Sequence, residues 1–371
     1  MRQISLSNAS HSDAGQVSSP AASREPRVVA LGGGTGLPIL LEGLRDFLFA
    51  EQGPLCSRAE RDRLTAIVTV ADDGGSSGRL RQAYGVLPLG DIRNCLVALA
   101  GRNSPFAPLF RYRFDGAEAG GHSLGNLILT ALSHLEPDFL KAIERGSEIL
   151  GAQGQVFPAT IENIRLRAQF EDGSWIEGES RIASGSRIIR RVCLEPRDPD
   201  PLPQALEAAR TADIVVIGPG SLYTSLIPVL LVKELTEAIR RSGARVVLVM
   251  NLTTEPGETD GHTAADHLLA IRRHAPDLPI HDVLLNATPI PDALAQAYAA
   301  AGAMLVGPDT ELLRALGHRP VMRELLGVGP KIRHDPHAVA RAILELVREA
   351  RTAAESVSGT GSMPCSAVSA R

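Results

Sequence analysis

Arg27-Val28-Val29-Ala30-Leu31-Gly32-Gly33-Gly34-Thr35-Gly36 decides the fold. Its first half is a short apolar run, the mark of a strand buried on both faces. Its second half is glycine-rich and leads into residues 37–49, where apolar residues return at helical spacing. Strand, glycine turn and helix in that order open a parallel α/β unit. Glycines at such a turn adopt φ > 0 and admit close approach of a ligand. The helix beyond offers free N–H groups and the positive end of a dipole to a phosphate. Gly33, Gly34 and Thr35 are therefore candidate ligand contacts; the competing reading is a tight turn with no ligand. The dinucleotide fingerprint fails, because its third glycine position, counted from Gly32, is Leu37. The P-loop fails because no Gly-Lys-Ser/Thr follows. NAD and ATP bound in the usual ways are disfavoured.

Outward from this stretch the order repeats. Residues 64–70, 213–217, 246–250 and 283–285 read as strands, and 92–100 and 124–135 as helices. The expected fold is α/β, a mainly parallel sheet with helices on both faces. Residues 164–170 break the order by alternating apolar and polar side chains before Glu171-Asp172-Gly173-Ser174, a turn with an Asp-Gly step. Candidate strands at 175–182 and 188–194 follow. A small antiparallel β insertion is expected over 155–197. Residues 1–26 and 352–371 are rich in small polar residues and read as disordered tails flanking one domain at 27–351.

Further loops carry chemistry. Asp72 and Asp73, in Ala71-Asp72-Asp73-Gly74-Gly75-Ser76-Ser77-Gly78, follow the second strand. They can hold Mg²⁺, accept from ribose hydroxyls, act as a base, or cap the next helix. Asp91, in Gly90-Asp91-Ile92-Arg93-Asn94, is placed as an N-cap, and Arg93 and Asn94 can reach a phosphate or base edge. In Gly121-His122-Ser123-Leu124-Gly125-Asn126, Ser123 can cap while His122 and Asn126 face a ligand. Gly218-Pro219-Gly220-Ser221-Leu222-Tyr223-Thr224-Ser225 supplies amide and hydroxyl donors after a strand. The loop from Asn251 to Thr259 is again polar and glycine-bearing.

The bulk numbers exclude several classes. A net charge of −4 over 371 residues gives no general attraction to nucleic acid or acidic membranes. No apolar run reaches membrane-spanning length and no signal-peptide core opens the chain. The four cysteines, Cys56, Cys95, Cys193 and Cys365, are scattered and read as reduced thiols of a cytoplasmic protein.

Taken in order, GGGTG (32–36), TVADDGGSSGRLR (69–81), GDIRN (90–94), GHSLGNL (121–127), GPGSLYTS (218–225) and PGET (256–259) resemble the bacterial gluconeogenesis factors, the YvcK-like proteins. These are relatives of the 2-phospho-L-lactate transferase CofD. The resemblance spans residues 27–346. It implies a Rossmann-like fold and a cytoplasmic regulator that binds nucleotide sugars such as UDP-N-acetylglucosamine. It also implies a role in cell shape and wall synthesis during gluconeogenic growth, exerted through a regulatory protein partner; whether the chain forms a homo-oligomer stays open. The binding candidates carried by the motifs are Gly33, Gly34, Thr35, Asp72, Asp73, Asp91, Asn94, His122, Asn126, Gly220, Ser221 and Tyr223. Mg²⁺ on Asp72 and Asp73 is implied through the transferase relatives. A Mg²⁺-dependent phospho-ester transferase is the alternative function, but the residues present no nucleophile–base pair, which favours the regulator. Thr254-Glu255-Pro256 carries Glu where the branch commonly has Gln.

Overall fold

The computed structural model describes residues 25–50, 56–116, 120–182, 185 and 187–359. Ten strands form two sheets: β1 (Val28–Gly32), β2 (Leu64–Val68), β3 (Gln155–Pro158), β4 (Arg165–Phe170), β5 (Trp175–Glu177), β6 (Ile189–Glu195), β7 (Ile214–Ile217), β8 (Arg245–Val249), β9 (Asp282–Asn286) and β10 (Arg319–Arg323). Seven of them make one sheet in the order β10-β9-β8-β7-β1-β2-β3, and every neighbouring pair is parallel. The expected α/β, Rossmann-like architecture is the observed one. β1, β2 and β7 are buried along their whole length, as strands covered on both faces must be.

β1 is the pivot. Its register places Val28 opposite Leu64 of β2 on one side and Ile214 of β7 on the other. The chain leaves β1 toward β2 and β3, and returns much later to β7 on the opposite flank. Loops leaving the two sides part there, which opens a crevice at the carboxyl ends of the strands. The helix Gly36–Leu48 buries Leu37, Leu40, Leu41 and Leu44 completely. That apolar stripe fixes where the glycine loop before it must sit. At the far flank Asp282, wholly buried on β9, accepts from Arg245 of β8 and from Arg319 Nε of β10 at 2.5 Å. Burial works to raise its pKa, but the two guanidiniums outweigh it and hold the carboxyl below its ordinary range.

The second sheet, β5-β4-β6, is antiparallel. Its hairpin turns where Asp-Gly stands: Gly173 has φ +83° and Asp172 Oδ1 accepts the Ser174 N–H at 2.8 Å. The insertion expected over 155–197 starts later, however. Gln155–Pro158 pairs with β2 as the edge strand of the large sheet; its alternating burial looks the same in either sheet, and only the pairing partner distinguishes them. The strand expected over 175–182 ends at Glu177. Gly178, with φ +103°, turns the chain into a short helix, Glu179–Ile182. Near the C-terminus the helix Pro336–Gly359 runs past residue 352, where a tail was expected. The rest of that tail, the N-terminal tail up to residue 24, and Cys365 lie outside the described residues.

Candidate functional site

Four loops meet at the crevice. The turn after β1 packs against the loop after β7 so tightly that a Cβ on Gly36 would lie 2.5 Å from the Pro219 carbonyl oxygen. Gly33 is equally constrained on its other side, where a Cβ would stand 2.3 Å from Asp91 Oδ2 and 3.3 Å from Thr69 Cγ2. These glycines are required by close approach. Thr35 stands at the N-cap of the Gly36–Leu48 helix, exposed, with no side-chain capping bond. The first-turn amides of that helix therefore keep the anion-binding character expected of a helix N-terminus. Gly220 is held on both sides by one side chain: its N–H donates to Asn251 Oδ1 (3.2 Å), and its carbonyl accepts from Asn251 Nδ2 (2.9 Å). Beyond it the backbone widens into a π-turn, Leu222–Leu226, a form frequent at functional sites. Glu258 Oε1 accepts the Tyr223 and Thr224 N–H groups of that turn at 2.6 and 3.0 Å.

The lining is acidic. Asp91 was expected to cap its helix; Leu89 occupies the N-cap, and the Asp91 carboxyl instead accepts the Gly34 N–H across the crevice. Burial raises its pKa to about 7, with the Asp72 charge adding to the rise and the Gly34 bond opposing it. Asp72 is raised in the same way, first by burial, although its Oδ1 accepts the Gly74 N–H at 2.8 Å. Glu179, from the short helix of the insertion, is pushed up to about 9 by burial and then by Asp72, Asp91, Glu258 and Asp73. Its Oε2 is buried without a hydrogen-bond partner. Arg93 is buried on the neighbouring helix; burial lowers its pKa to about 10, so it stays cationic at neutral pH.

Not every candidate from the sequence reaches this crevice in the same way. Gly33, Gly34, Asp72, Asp91 and Gly220 border it, with Thr35 and Ser221 in the same loops. Asp73 turns toward the insertion, where Oδ1 accepts the Ser180 N–H at 2.9 Å. His122 and Asn126 meet at Ser76: Asn126 Nδ2 donates to Ser76 Oγ (3.1 Å), and His122 Nδ1 lies 2.9 Å from the same oxygen. Burial, and then Arg79, lowers the His122 pKa. The tautomer of the ring sets which of the two donates, since the serine hydroxyl can give a hydrogen to Nδ1 or take one from it. Asn126 Oδ1 is buried and unpartnered. Ser123 caps its helix as expected, accepting the Asn126 N–H at 3.1 Å. Asn94 accepts from Arg93. The Tyr223 side chain points into the core, 2% exposed, with its ring edge-on to His262 and His274; only its backbone amide serves the site. Glu179, Ser76 and Thr69 were not anticipated as site residues.

Among the described residues no group of three or more His, Cys, Asp and Glu side chains is arranged to hold a metal ion. Asp72 and Asp73 each commit one oxygen to a backbone N–H. Mg²⁺ commonly takes one or two carboxylates and completes its shell with water and substrate phosphate. The two carboxyls turn to different partners, Gly74 and Ser180, so an ion held by them would have to draw the rest of its shell from water and ligand oxygens.

Comparison with known proteins agrees with this architecture. Residues 28–326 match the family described as 2-phospho-L-lactate transferase CofD. The gluconeogenesis factor of Halalkalibacterium halodurans is 44% identical over 324 residues, covering 87% of this chain and 97% of that protein. The gluconeogenesis factor of Bacillus subtilis is 41% identical over 328 residues, covering 88% and 99%. A crystal structure of a upf0052 family member from Bacillus halodurans superposes with a TM-score of 0.79 at 43% identity, covering 86% of this chain and 99% of that one. No helix among the described residues is long and apolar enough to cross a membrane. With the switch-point crevice, the ordered glycine loops and these relatives in agreement, the chain belongs to the CofD-like family, among the gluconeogenesis factors.

Proposed function

We propose that this gluconeogenesis factor is a cytoplasmic regulator that binds a nucleotide sugar of the UDP-N-acetylglucosamine type in the crevice between β1 and β7. It passes that signal to a protein partner in support of cell shape and wall synthesis during gluconeogenic growth. One observation carries the reading: the loops after β1, β2 and β7 and the starts of two helices come together, Gly33 and Gly34 against Asp91, Gly36 against Pro219 and Gly90 against Asp72. There a helix N-terminus suited to phosphate lies beside carboxyl and hydroxyl groups suited to sugar hydroxyls. Calorimetry of the full chain with UDP-N-acetylglucosamine tests it. Micromolar binding is expected, and heat no greater than that of dilution with any nucleotide sugar would refute it.

The match to a transferase family supports a second reading, a Mg²⁺-dependent phospho-ester transfer. Here Asp72 and Asp73 would hold the ion, which would supply charge neutralisation on the transferring group. The crevice presents carboxylates for this, and Ser76 Oγ lies 2.9 Å from His122 Nδ1; the near full-length likeness to gluconeogenesis factors is what favours binding over transfer. Incubation with nucleotide-linked phospholactate and Mg²⁺, read by mass spectrometry, separates the two: a product peak would select the transferase.

A further inference from the structure

A cavity of about 1140 Å³ lies outside the crevice and shares no lining residue with it. One wall is β6, an edge strand of the small sheet. Leu194 of β6 stands opposite Leu166 of β4, yet the Leu166 carbonyl accepts the Gly178 N–H on the other side of β4. Leu166 and Leu194 are therefore a non-hydrogen-bonded pair, and the backbone groups of Leu194 point out of the sheet edge. Val192, two residues earlier, points the same way, and its N–H donates to His274 Nε2 at 2.9 Å. The Arg190 carbonyl accepts from Arg273 Nη1 at 2.9 Å. The end of the helix Ala264–His274 thus closes the first half of this edge. The Val192 carbonyl and both backbone groups of Leu194 are left facing the cavity. Its floor is apolar, with Leu230, Leu231 and Leu278, and Leu230 ends the helix that follows the π-turn Leu222–Leu226. The rim carries five cations, Arg190, Arg191, Arg197, Lys233 and Arg273, against four acids. Two of those acids are engaged: Asp198 pairs with Lys233 at 2.5 Å, and Glu237 pairs with Arg240 and Arg241. Four arginines then face Glu171 and Asp277 alone. Neither Arg190 nor Arg197 has an ion pair among the described residues.

We propose that this cavity docks the protein partner, and that the partner presents an extended acidic segment that adds to β6 as a further strand of the small sheet. Its backbone pairs with Val192 and Leu194, its apolar side chains enter the leucine floor, and its carboxylates meet Arg190 and Arg197. This rests on the regulator reading, to which it adds a surface and a partner chemistry. An open strand edge is a template for pairing that proteins usually block. Here a helix end caps half of the edge, and the open half lies under arginines that favour acidic strands and repel basic ones. The chain's own ends do not supply such a segment: residues 1–24 hold a single acid, Asp13, and residues 360–371 hold none.

The test is fluorescence anisotropy of the full chain with a labelled peptide of alternating glutamate and valine, as long as the 7 residues of β6. One control peptide carries lysine in place of glutamate. Two others are the acidic peptide N-methylated at every second residue, one for each phase; they keep charge and apolar surface but remove the N–H groups that a strand offers to one side. The acidic peptide should saturate the chain and the lysine peptide should not. One N-methylated phase should bind at least about tenfold more weakly than the plain peptide. Arg190→Glu combined with Arg197→Glu should weaken the acidic peptide at least about tenfold, with thermal unfolding and UDP-N-acetylglucosamine binding as in wild type. No binding of the acidic peptide, equal affinity for the acidic and lysine peptides, or full affinity in both N-methylated phases would each overturn the proposal. Undiminished peptide binding by the folded double variant would overturn it too. If that variant does not fold, the peptide comparison on the unaltered protein decides alone. Calorimetry of wild type with UDP-N-acetylglucosamine separates the two readings. Sugar-nucleotide binding without peptide binding refutes the docking surface alone, and peptide binding without sugar-nucleotide binding refutes the nucleotide-sugar reading and upholds the surface.

Discussion

Asp91→Asn isolates the cost of keeping an ionisable group in the floor of the crevice. The Asp91 carboxyl accepts the Gly34 N–H, and burial lifts its pKa from 3.8 to about 7. Relative to an unfolded chain, where an aspartate ionises near its ordinary value, its ionisation costs about 4 kcal/mol more in the folded one. The sign follows from linkage: a raised folded pKa means stability that is complete below about pH 4 and lost as pH climbs toward about 7. An asparagine keeps an acceptor for Gly34 but does not ionise. Its stability relative to wild type should therefore grow by about 1.4 kcal/mol per pH unit from about pH 4 to about pH 7, then level off. The fixed cost of housing the extra NH₂ shifts the whole curve but not its slope. Urea unfolding of both proteins at four pH values from about 5 to about 8 measures it. A difference constant with pH would refute the reasoning, since it would mean that Asp91 titrates alike in folded and unfolded chains. A confirmed slope would show stability given up to retain a carboxyl where an amide would serve, a pattern that goes with function at a site.

Gly33→Ala places a Cβ 2.3 Å from Asp91 Oδ2, so Asp91 must swing off the Gly34 amide. A loss of about 1–3 kcal/mol in thermal or urea unfolding is expected, together with weaker sugar-nucleotide binding; wild-type behaviour in both would refute the close approach. Asp282→Ala strands Arg245 and Arg319 between β8 and β10. Because both guanidiniums reach solvent, the expected cost is about 2–4 kcal/mol rather than the full penalty of a buried charge, and a change under about 1 kcal/mol would rule out that triad as a clamp. Ser123→Ala removes a cap and should cost about 1 kcal/mol. Because Ser123 also anchors the amide of Asn126, the His122 ring resonances should shift in NMR; unchanged resonances would separate the cap from the Ser76 relay.

What could be read from the sequence follows the range of the interactions involved. The buried runs of β1, β2, β7 and β8, the glycine turn after β1 and the Ser123 cap are local, and each appears where its residues predict, whereas the strand read over 175–182 stops at Glu177. Asp91 looks like a cap because the residues beside it suit one, but its carboxyl is captured by Gly34 of a distant loop, a competition no local pattern reveals. Tyr223 lies in a motif that promises a contact, yet its ring is directed into the core while its amide faces Glu258. Glu179 carries no signal at all: it reaches the crevice only because Gly178 breaks a strand and Asp73 holds the next turn. These long-range arrivals answer a difficulty the glycine loops raise. Amides at a helix start attract an anion, whereas a hollow lined by ionised carboxylates repels one. Burial resolves the conflict by lifting Asp91 to about 7 and Glu179 to about 9. At neutral pH Glu179 is then a neutral hydrogen-bond donor, and Asp91 is close to half-protonated. A phosphate can thus sit among acids that would otherwise exclude it, and affinity for it should fall as alkaline pH ionises them.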